Sequence, residues 1–164
     1  KTSSLLLVAN REHLLSAFAT GLPYIDPIVG DHEHGGEIGL QGTRPADILK
    51  LWLGMRQLGE EGIQSLLENA INRRLYFQDL LDLSKLNVVS GPLHLIAFTP
   101  KKANMDFASC WSANTRQQLL DKHFMLSRPF YRGRHYLKAV LGNPHTQLNH
   151  LDDLAQFLNG SVGI

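Results

Sequence analysis

The sequence predicts an α/β fold that ends in a small α+β domain. Three observations lead to this prediction. Residues 5–9 form a short apolar run between polar residues, as in a strand that is covered on both faces. Apolar residues then recur at helical spacing between residues 45 and 83. After residue 86, short apolar runs alternate with turns that contain glycine or proline, which indicates an antiparallel sheet.

The composition is typical of a globular domain. Of 164 residues, 43% are hydrophobic and 19% are charged. The formal net charge of +1 gives no electrostatic reason to expect nucleic acid or a membrane surface as a partner. No apolar stretch approaches the roughly 20 residues of a membrane span. A single cysteine, Cys110, leaves no internal disulfide and favours a cytoplasmic location.

The N-terminal elements are predicted from run length and composition. Residues 3–9 are predicted to form a buried strand, because the apolar run is too short for a signal peptide and no small-residue cleavage site follows it. A short helix is predicted over residues 11–19. Residues 20–43 are rich in glycine and without periodicity, and they are interpreted as a long ordered loop. Loops of this length in compact domains are usually functional.

Two helices are predicted next. The first begins at Pro45, whose missing N–H is harmless at the first helical position, and ends at Gly59. Its apolar side chains cover almost the whole circumference, so it is expected to be deeply buried; they are Ile48, Leu49, Leu51, Trp52, Leu53 and Met55. The second helix spans about 60–83 and carries one apolar stripe, made of Ile63, Leu66, Leu67, Ile71, Leu75 and Leu80 or Leu81.

The C-terminal domain is predicted from shorter elements. Strands are expected over residues 87–89, 93–98 and 135–141, with a short edge strand at Phe130 and Tyr131. A helix is expected over residues 113–125, capped by Ser112 or Asn114. A last helix is expected over residues 150–159, with Asn149 as its cap, Asp152 supporting the cap and Gly160 ending the helix.

Two motifs in the loop could carry chemistry. Residues 31–34 (Asp-His-Glu-His) offer metal ligands, but no second pair follows at a suitable spacing, so a solvated loop is the interpretation and no metal is expected. Residues 39–44 (Gly-Leu-Gln-Gly-Thr-Arg) place accessible backbone N–H groups and an arginine before a helix, as in an anion site. An ordinary glycine-containing turn is the alternative.

Three blocks of the chain carry a family resemblance. Residues 41–53 (Gln-Gly-Thr-Arg-Pro-Ala-Asp-Ile-Leu-Lys-Leu-Trp-Leu) resemble a signature of the group II pyridoxal-phosphate-dependent amino-acid decarboxylases. Residues 3–8 (Ser-Ser-Leu-Leu-Leu-Val) resemble the strand that follows the cofactor lysine in that family. Residues 136–144 (Tyr-Leu-Lys-Ala-Val-Leu-Gly-Asn-Pro) resemble the strand and turn near the family's C-terminus.

The resemblance implies an architecture. The chain would be the C-terminal part of a fold-type-I, aminotransferase-like enzyme that binds pyridoxal 5′-phosphate. Residues 1–58 would end the large cofactor-binding domain and include a catalytic loop over residues 20–44. Residues 59–85 would form a connecting helix, and residues 86–164 the small α+β domain. The Schiff-base lysine would lie upstream of this chain, in the missing N-terminal portion of the same protein, and Lys1 would be a strand-entry residue.

The resemblance also implies site residues. Tyr24 falls at the family's catalytic-loop tyrosine, which protonates the carbanion left by carbon dioxide. Gln41, Gly42 and Thr43 fall where the family reaches the cofactor phosphate of the partner subunit, and Arg44 follows them. Thr43 replaces the family's usual glycine. Lys138 stands where several members hold the substrate carboxylate with an arginine, so a point charge replaces a planar fork.

The function implied is that of a fragment of an L-amino-acid decarboxylase, a carboxy-lyase of amino-acid metabolism that yields an amine and carbon dioxide. It would act as a homodimer with the active site at the interface, and this chain alone would be inactive. The alternatives are a non-catalytic fold relative, a dimerisation fragment, or an aminotransferase of the same fold. The substrate stays open among glutamate, diaminobutyrate and aromatic amino acids.

Overall fold

The computed structural model describes residues 6–18 and 45–162. The chain divides into two compact units, Lys1–Gly59 and Glu60–Ile164. The three-part division predicted at residues 58 and 85 stays a prediction. No helix within the described ranges combines the length and the apolarity that a membrane crossing requires.

In the first unit, helix α1 (Glu12–Phe18) confirms the helix predicted over residues 11–19. The Oδ1 atom of Asn10 accepts the N–H of Glu12 at 2.9 Å and so satisfies one free donor at its start. The strand predicted over residues 3–9 is wrong over its described part. Residues 6–10 form no strand, and Leu6 and Leu7 are 76% and 87% exposed. A strand requires a hydrogen-bonded neighbour, and none is formed here.

Helix α2 (Ile48–Leu80) is interrupted at Gly59, where φ is 66° and ψ is −178°. The predicted division into two helices at this glycine is therefore confirmed. The prediction that the first helix is deeply buried is wrong. Its large apolar side chains are all at least a third exposed, because a helix that is apolar all round needs neighbours on every side and the described part of the chain does not supply them; they are Ile48, Leu49, Leu51, Trp52, Leu53, Met55 and Leu58.

Substituting Gly59 by alanine is expected to destabilise the chain. The backbone conformation of Gly59 is one that almost only glycine adopts, so Gly59→Ala should lower the free energy of unfolding by about 1–3 kcal/mol. The measurement is urea denaturation followed by circular dichroism. Gly54 is the control, because it is helical and an added Cβ would have open space around it, so Gly54→Ala should raise stability by about 0.5–1 kcal/mol. Equal stabilities of the two variants would contradict the assignment.

In the second unit, the part of α2 that follows Gly59 buries a face that overlaps the predicted stripe only in part: Leu81 of that stripe is buried, and Ile63, Ile71 and Leu80 are half-buried. Its buried residues are Ala70, Arg74 and Phe77, and Leu81 continues the line at a spacing of three to four residues. Leu66, Leu67 and Leu75 of the predicted stripe are instead exposed. The sequence pattern hides the true face because an arginine lies in its centre.

Arg74 is buried among these apolar residues with hydrogen-bond partners for two of its nitrogen atoms. Its Nε donates to the carbonyl of Leu93 at 3.1 Å, and its Nη1 donates to Oε1 of Gln78 at 3.2 Å. The neighbouring Arg73 donates from Nε to the carbonyl of Leu141 at 3.0 Å. Two consecutive arginines thus connect α2 to the backbone at one end of the sheet.

The sheet confirms the predicted antiparallel α+β domain. Strand β1 (Leu86–Ser90) pairs with β2 (Leu95–Pro100), which pairs with β5 (Leu137–Val140), all antiparallel. Strands β3 (Phe130–Tyr131) and β4 (Arg134–His135) form a separate hairpin, and β3 is the edge strand predicted there. The strand predicted over residues 135–141 is therefore two strands, separated at Tyr136. Arg132 and Gly133 both have positive φ, as a two-residue hairpin turn requires.

Helix α3 (Met105–Asp121) begins eight residues before the predicted start, so the predicted helix over 113–125 was wrong in both its bounds. Its cap is Asn104, whose Oδ1 accepts the N–H of Phe107 at 2.8 Å. Ser112, one of the two predicted caps, is fully buried in mid-helix, where its Oγ donates to the carbonyl of Ser109 at 3.0 Å and accepts from Nε of Arg128 at 2.8 Å. A polar residue buried in this way resembles a cap in sequence.

Helix α4 (Leu148–Ser161) is longer than predicted at both ends. Gln147 is its cap in place of Asn149, and Nδ1 of His150, rather than Asp152, accepts the N–H of the cap residue at 3.3 Å. Gly160 is helical. Asp152 instead accepts the hydroxyl of Tyr76 at 2.6 Å, and this hydrogen bond raises the pKa of Tyr76.

One core joins these elements. It lies between the inner face of the sheet, α3, α4 and the second part of α2. Phe77 and Phe98 are both fully buried, and their rings meet edge to face at 6.1 Å. In the turn after α2, the hydroxyl and the N–H of Ser84 donate to Asp82 and lower the pKa of that carboxyl.

Candidate functional site

The outer face of the three-stranded sheet carries the only predicted site residue within the described ranges. Because side chains alternate along a strand, Ile96, Phe98, Leu137 and Ala139 point into the core. Lys138 therefore lies on the opposite face. It is directly across from Ala97, which is across from Val89, so these three residues form one row over three strands.

The row lies in a mostly apolar setting. Val89 and its face neighbours Leu95 and Val140 are large apolar residues that remain exposed. A shallow depression of about 230 Å³ runs over this part of the sheet; it is lined by Val89, Ser90, Gly91, Leu95, Ile96, Ala97 and Lys138. The ammonium of Lys138 is thus carried on a side chain that crosses apolar surface.

The backbone fixes the position of Lys138. Its N–H donates to the carbonyl of Ser127 at 2.8 Å, and the N–H of Ser127 donates back to the carbonyl of Lys138 at 3.2 Å. This bridge extends the sheet by one residue beyond β5. Strand β2 holds the other side of β5, so the backbone of Lys138 is hydrogen-bonded on both sides.

The charge of Lys138 is not neutralised within the described part of the chain. Neither an ion pair nor a side-chain hydrogen bond engages its Nζ atom there, and the ion pairs present among those residues are Lys50 with Asp47 and Lys85 with Asp82. An ammonium carried by a half-buried side chain on an apolar face attracts an anion that also has an apolar part. This arrangement can hold the carboxylate of a small organic molecule.

The other predicted site residues lie outside the described ranges. They are Tyr24, Gln41, Gly42, Thr43 and Arg44. Lys1 and residues 31–34 also lie outside these ranges. The roles assigned to them stay predictions. Over the ranges 6–18 and 45–162, no three His, Cys, Asp or Glu side chains are grouped so as to hold a metal ion.

A second set of polar side chains was not predicted from the sequence. Nη2 of Arg128 donates to both the carbonyl and the hydroxyl of Ser109, at 3.0 and 2.8 Å, and its Nε donates to Ser112. Nε of Arg116 donates to the carbonyl of Leu126 at 3.0 Å. These contacts attach the segment after α3 to the helix itself. They follow from tertiary packing, and no spacing in the sequence indicates them.

No known protein-family model matches the sequence, and no curated protein matches it. Solved structures do resemble the chain. Catharanthus roseus tryptophan decarboxylase in complex with L-tryptophan is 19% identical with a TM-score of 0.68, over 91% of this chain and 33% of that one. Oryza sativa TDC with PLP and tryptamine is 18% identical with a TM-score of 0.65, over 77% of this chain and 28% of that one.

A third structure extends the likeness to another substrate class. It is the glutamate decarboxylase domain of diaminobutyrate-pyruvate transaminase and L-2,4-diaminobutyrate decarboxylase from Vibrio parahaemolyticus. It is 18% identical with a TM-score of 0.56, over 73% of this chain and 26% of that one. The chain therefore spans about a third or less of the structures it matches. At these identities the likeness shows the fold, which is that of the C-terminal part of pyridoxal-phosphate-dependent amino-acid decarboxylases.

Proposed function

We propose that this chain is the C-terminal part of a pyridoxal-phosphate-dependent L-amino-acid decarboxylase that acts as a homodimer. One observation carries the proposal. The fold agrees with that of Catharanthus roseus tryptophan decarboxylase over 91% of the chain. The sequence blocks at residues 3–8, 41–53 and 136–144 support it independently, because they match the same family in the same order.

Exposed apolar surface supports the view that the chain works as part of a longer polypeptide. Helix α2 exposes Trp52 and six other large apolar side chains before Gly59, and Leu6 and Leu7 are exposed as well. Surface of this kind usually marks a region that another protein surface covers. The missing N-terminal portion, which would supply the Schiff-base lysine, is the covering partner that the proposal requires. The chain alone would then be inactive.

The residues present fit the cofactor by their chemistry. Gln41, Thr43 and Arg44 offer an amide, a hydroxyl and a guanidinium, and Gly42 offers a backbone N–H with no side chain of its own beside it, which together are donors suited to a phosphate. They would bind the phosphate of the cofactor held by the other subunit. Pyridoxal phosphate, when bound, supplies the electron sink on which the departure of carbon dioxide depends.

The remaining steps belong to this chain's own side chains. Lys138 holds and orients the carboxylate of the substrate. The apolar side chains around it, those of Val89, Leu95 and Val140, exclude water from the body of the substrate. Tyr24 delivers the phenolic proton to the carbon atom that carbon dioxide has left. The loop over residues 20–44 keeps water out during this transfer.

The test uses the full-length polypeptide that contains this chain, loaded with pyridoxal phosphate and offered a panel of L-amino acids. One amino acid should yield carbon dioxide and its amine in equal amounts. Formation of a keto acid without carbon dioxide would instead indicate an aminotransferase. A polypeptide that takes up no cofactor would indicate a non-catalytic relative.

Substitution of Lys138 tests its proposed role. Lys138→Met in the full-length enzyme should raise KM by about 10–100-fold, because the substrate carboxylate loses a charged hydrogen bond worth about 1.5–3 kcal/mol. Lys138→Arg should retain most of the affinity. Lys85→Met is the control, because Lys85 lies away from this face and its Nζ donates to the carbonyl of Asn159. An unchanged KM in Lys138→Met would remove the residue from the site.

A further inference from the structure

A cavity of about 430 Å³ lies between the end of α3, the strand β5 and the start of α4. Its floor is made of buried leucines, namely Leu126, Leu141, Leu151 and Leu154. Val140 and Met125 stand at its walls and are well exposed. The size and the apolar floor are those of a small-molecule site.

The polar residues of the cavity present hydrogen-bond donors. Oδ1 of Asn143 accepts the N–H of His145 at 3.0 Å, which leaves the amide nitrogen without a partner among the described residues. Nδ1 of His150 accepts the N–H of Gln147 at 3.3 Å, so the neutral ring carries its proton on Nε2. In both side chains the acceptor atom is used by a hydrogen bond to a nearby backbone N–H, and the donor nitrogen remains available to a ligand.

The charge of the lining is positive. Lys122 and His123 line the same cavity, and the lining contains no carboxylate. Lys122 has its ammonium 5.8 Å from the centroid of the Phe157 ring, and it forms no ion pair within the described part of the chain. Asp153 lines an adjoining depression that shares Lys122 and Phe124. Phe157 belongs to that depression and not to the cavity, so the ammonium favours a single negative charge in the cavity by its field and not by direct contact.

His123 is held in place by the end of α3. Its φ is 66°, and the N–H groups of His123 and Phe124 donate to the carbonyls of Leu120 and Leu119 at 2.9 and 2.8 Å. This is a helix-ending motif in which glycine is the usual residue. The backbone that carries the His123 side chain is therefore fixed by this turn.

We infer that this cavity binds a small carboxylate with an apolar body and no amino group. The leucine floor takes the body, and the free donors of Asn143 and His150 take the carboxylate. The absence of any carboxylate in the lining disfavours a ligand that also carries an ammonium group. An amino acid is thus excluded by the same chemistry that admits its deaminated analogue.

The probe is 3-phenylpropionate, titrated into the 164-residue chain and followed by calorimetry and by the methyl NMR signals of the leucines and valines. Saturable binding with a Kd of about 1 mM or tighter is expected, with shifts at Val140 and Leu151. L-phenylalanine, 3-phenylpropanol and inorganic phosphate should each bind at least about tenfold more weakly. L-phenylalanine differs from the probe by its amino group alone, so it separates this cavity from a site for amino-acid substrates.

Two variants locate the site. Asn143→Asp keeps the acceptor for His145 and replaces the free donor by a negative oxygen, so the affinity for 3-phenylpropionate should fall at least about tenfold. Lys122→Glu, which reverses the charge beside the cavity, should also lower the affinity but by a smaller factor, because this ammonium lies over Phe157. Lys102→Glu is the control, because Lys102 lines a separate cavity with Phe107 and should leave binding unchanged. Unsaturable binding, equal binding of L-phenylalanine, or unchanged affinity in Asn143→Asp would each overturn the inference.

Discussion

Replacing Tyr24 by phenylalanine in the full-length polypeptide is expected to lower kcat for amine formation by about 10²–10⁴-fold. A phenol can deliver a proton in a site that excludes water, and a benzyl ring of the same shape cannot. KM should change little, since the transferred proton matters in the transition state more than in the bound substrate. Carbon dioxide and amine are measured separately, so that a failure of protonation is distinguished from a failure of bond cleavage.

Tyr131→Phe is the matched control for this experiment. Tyr131 lies on β3 with its side chain about half exposed, and Arg132 stacks over its ring at 5.1 Å. Loss of that hydroxyl should leave kcat unchanged. A Tyr24→Phe enzyme with normal amine formation would show that another group donates the proton.

The second large effect concerns the core. Phe77→Ala is expected to lower the free energy of unfolding by about 3–5 kcal/mol, because it opens a cavity beside Phe98 that neighbouring side chains fill only in part. Urea denaturation of the 164-residue chain measures the change. A loss of this size is a large fraction of the total stability of a small domain. A substantial fraction of the Phe77→Ala molecules should therefore be unfolded near room temperature.

Leu75→Ala provides the comparison within the same helix. Leu75 belongs to the stripe that the sequence analysis predicted to be buried, yet it is 44% exposed. Its truncation should cost less than about 1 kcal/mol. Similar losses in Leu75→Ala and Phe77→Ala would show that the face assigned to α2 is wrong.

Local sequence signals predicted much of the fold. Glycine at position 59 indicated the interruption of α2, and the short apolar runs around Gly91 indicated β1 and β2. Helix ends were harder to place. Asn104 is as good a cap as Asn114 by residue type, and only tertiary packing decides that α3 begins at Met105.

Burial was the property that sequence predicted least well. Periodicity identifies an apolar stripe, but it cannot show which neighbour covers that stripe, and Leu66 and Leu75 are exposed for that reason. Periodicity also gave no reason to place Arg74 in the core. Its partner, the carbonyl of Leu93, is brought close only by the folding of the chain. Of the predicted site, Lys138 can be placed on a defined surface, while the roles of Tyr24 and residues 41–44 rest on resemblance.

The buried guanidinium of Arg74 has a consequence for the order of assembly. If α2 slid along the sheet by one turn, about 5.4 Å, Arg74 would keep its bond to Gln78 of the same helix but lose the carbonyl of Leu93, a hydrogen bond from a charged group worth about 1.5–3 kcal/mol. Leu93 lies in the connection between β1 and β2, so the helix can settle in its final register only after that hairpin has formed. Misaligned compact states are thereby penalised, and the second unit should fold in one cooperative step.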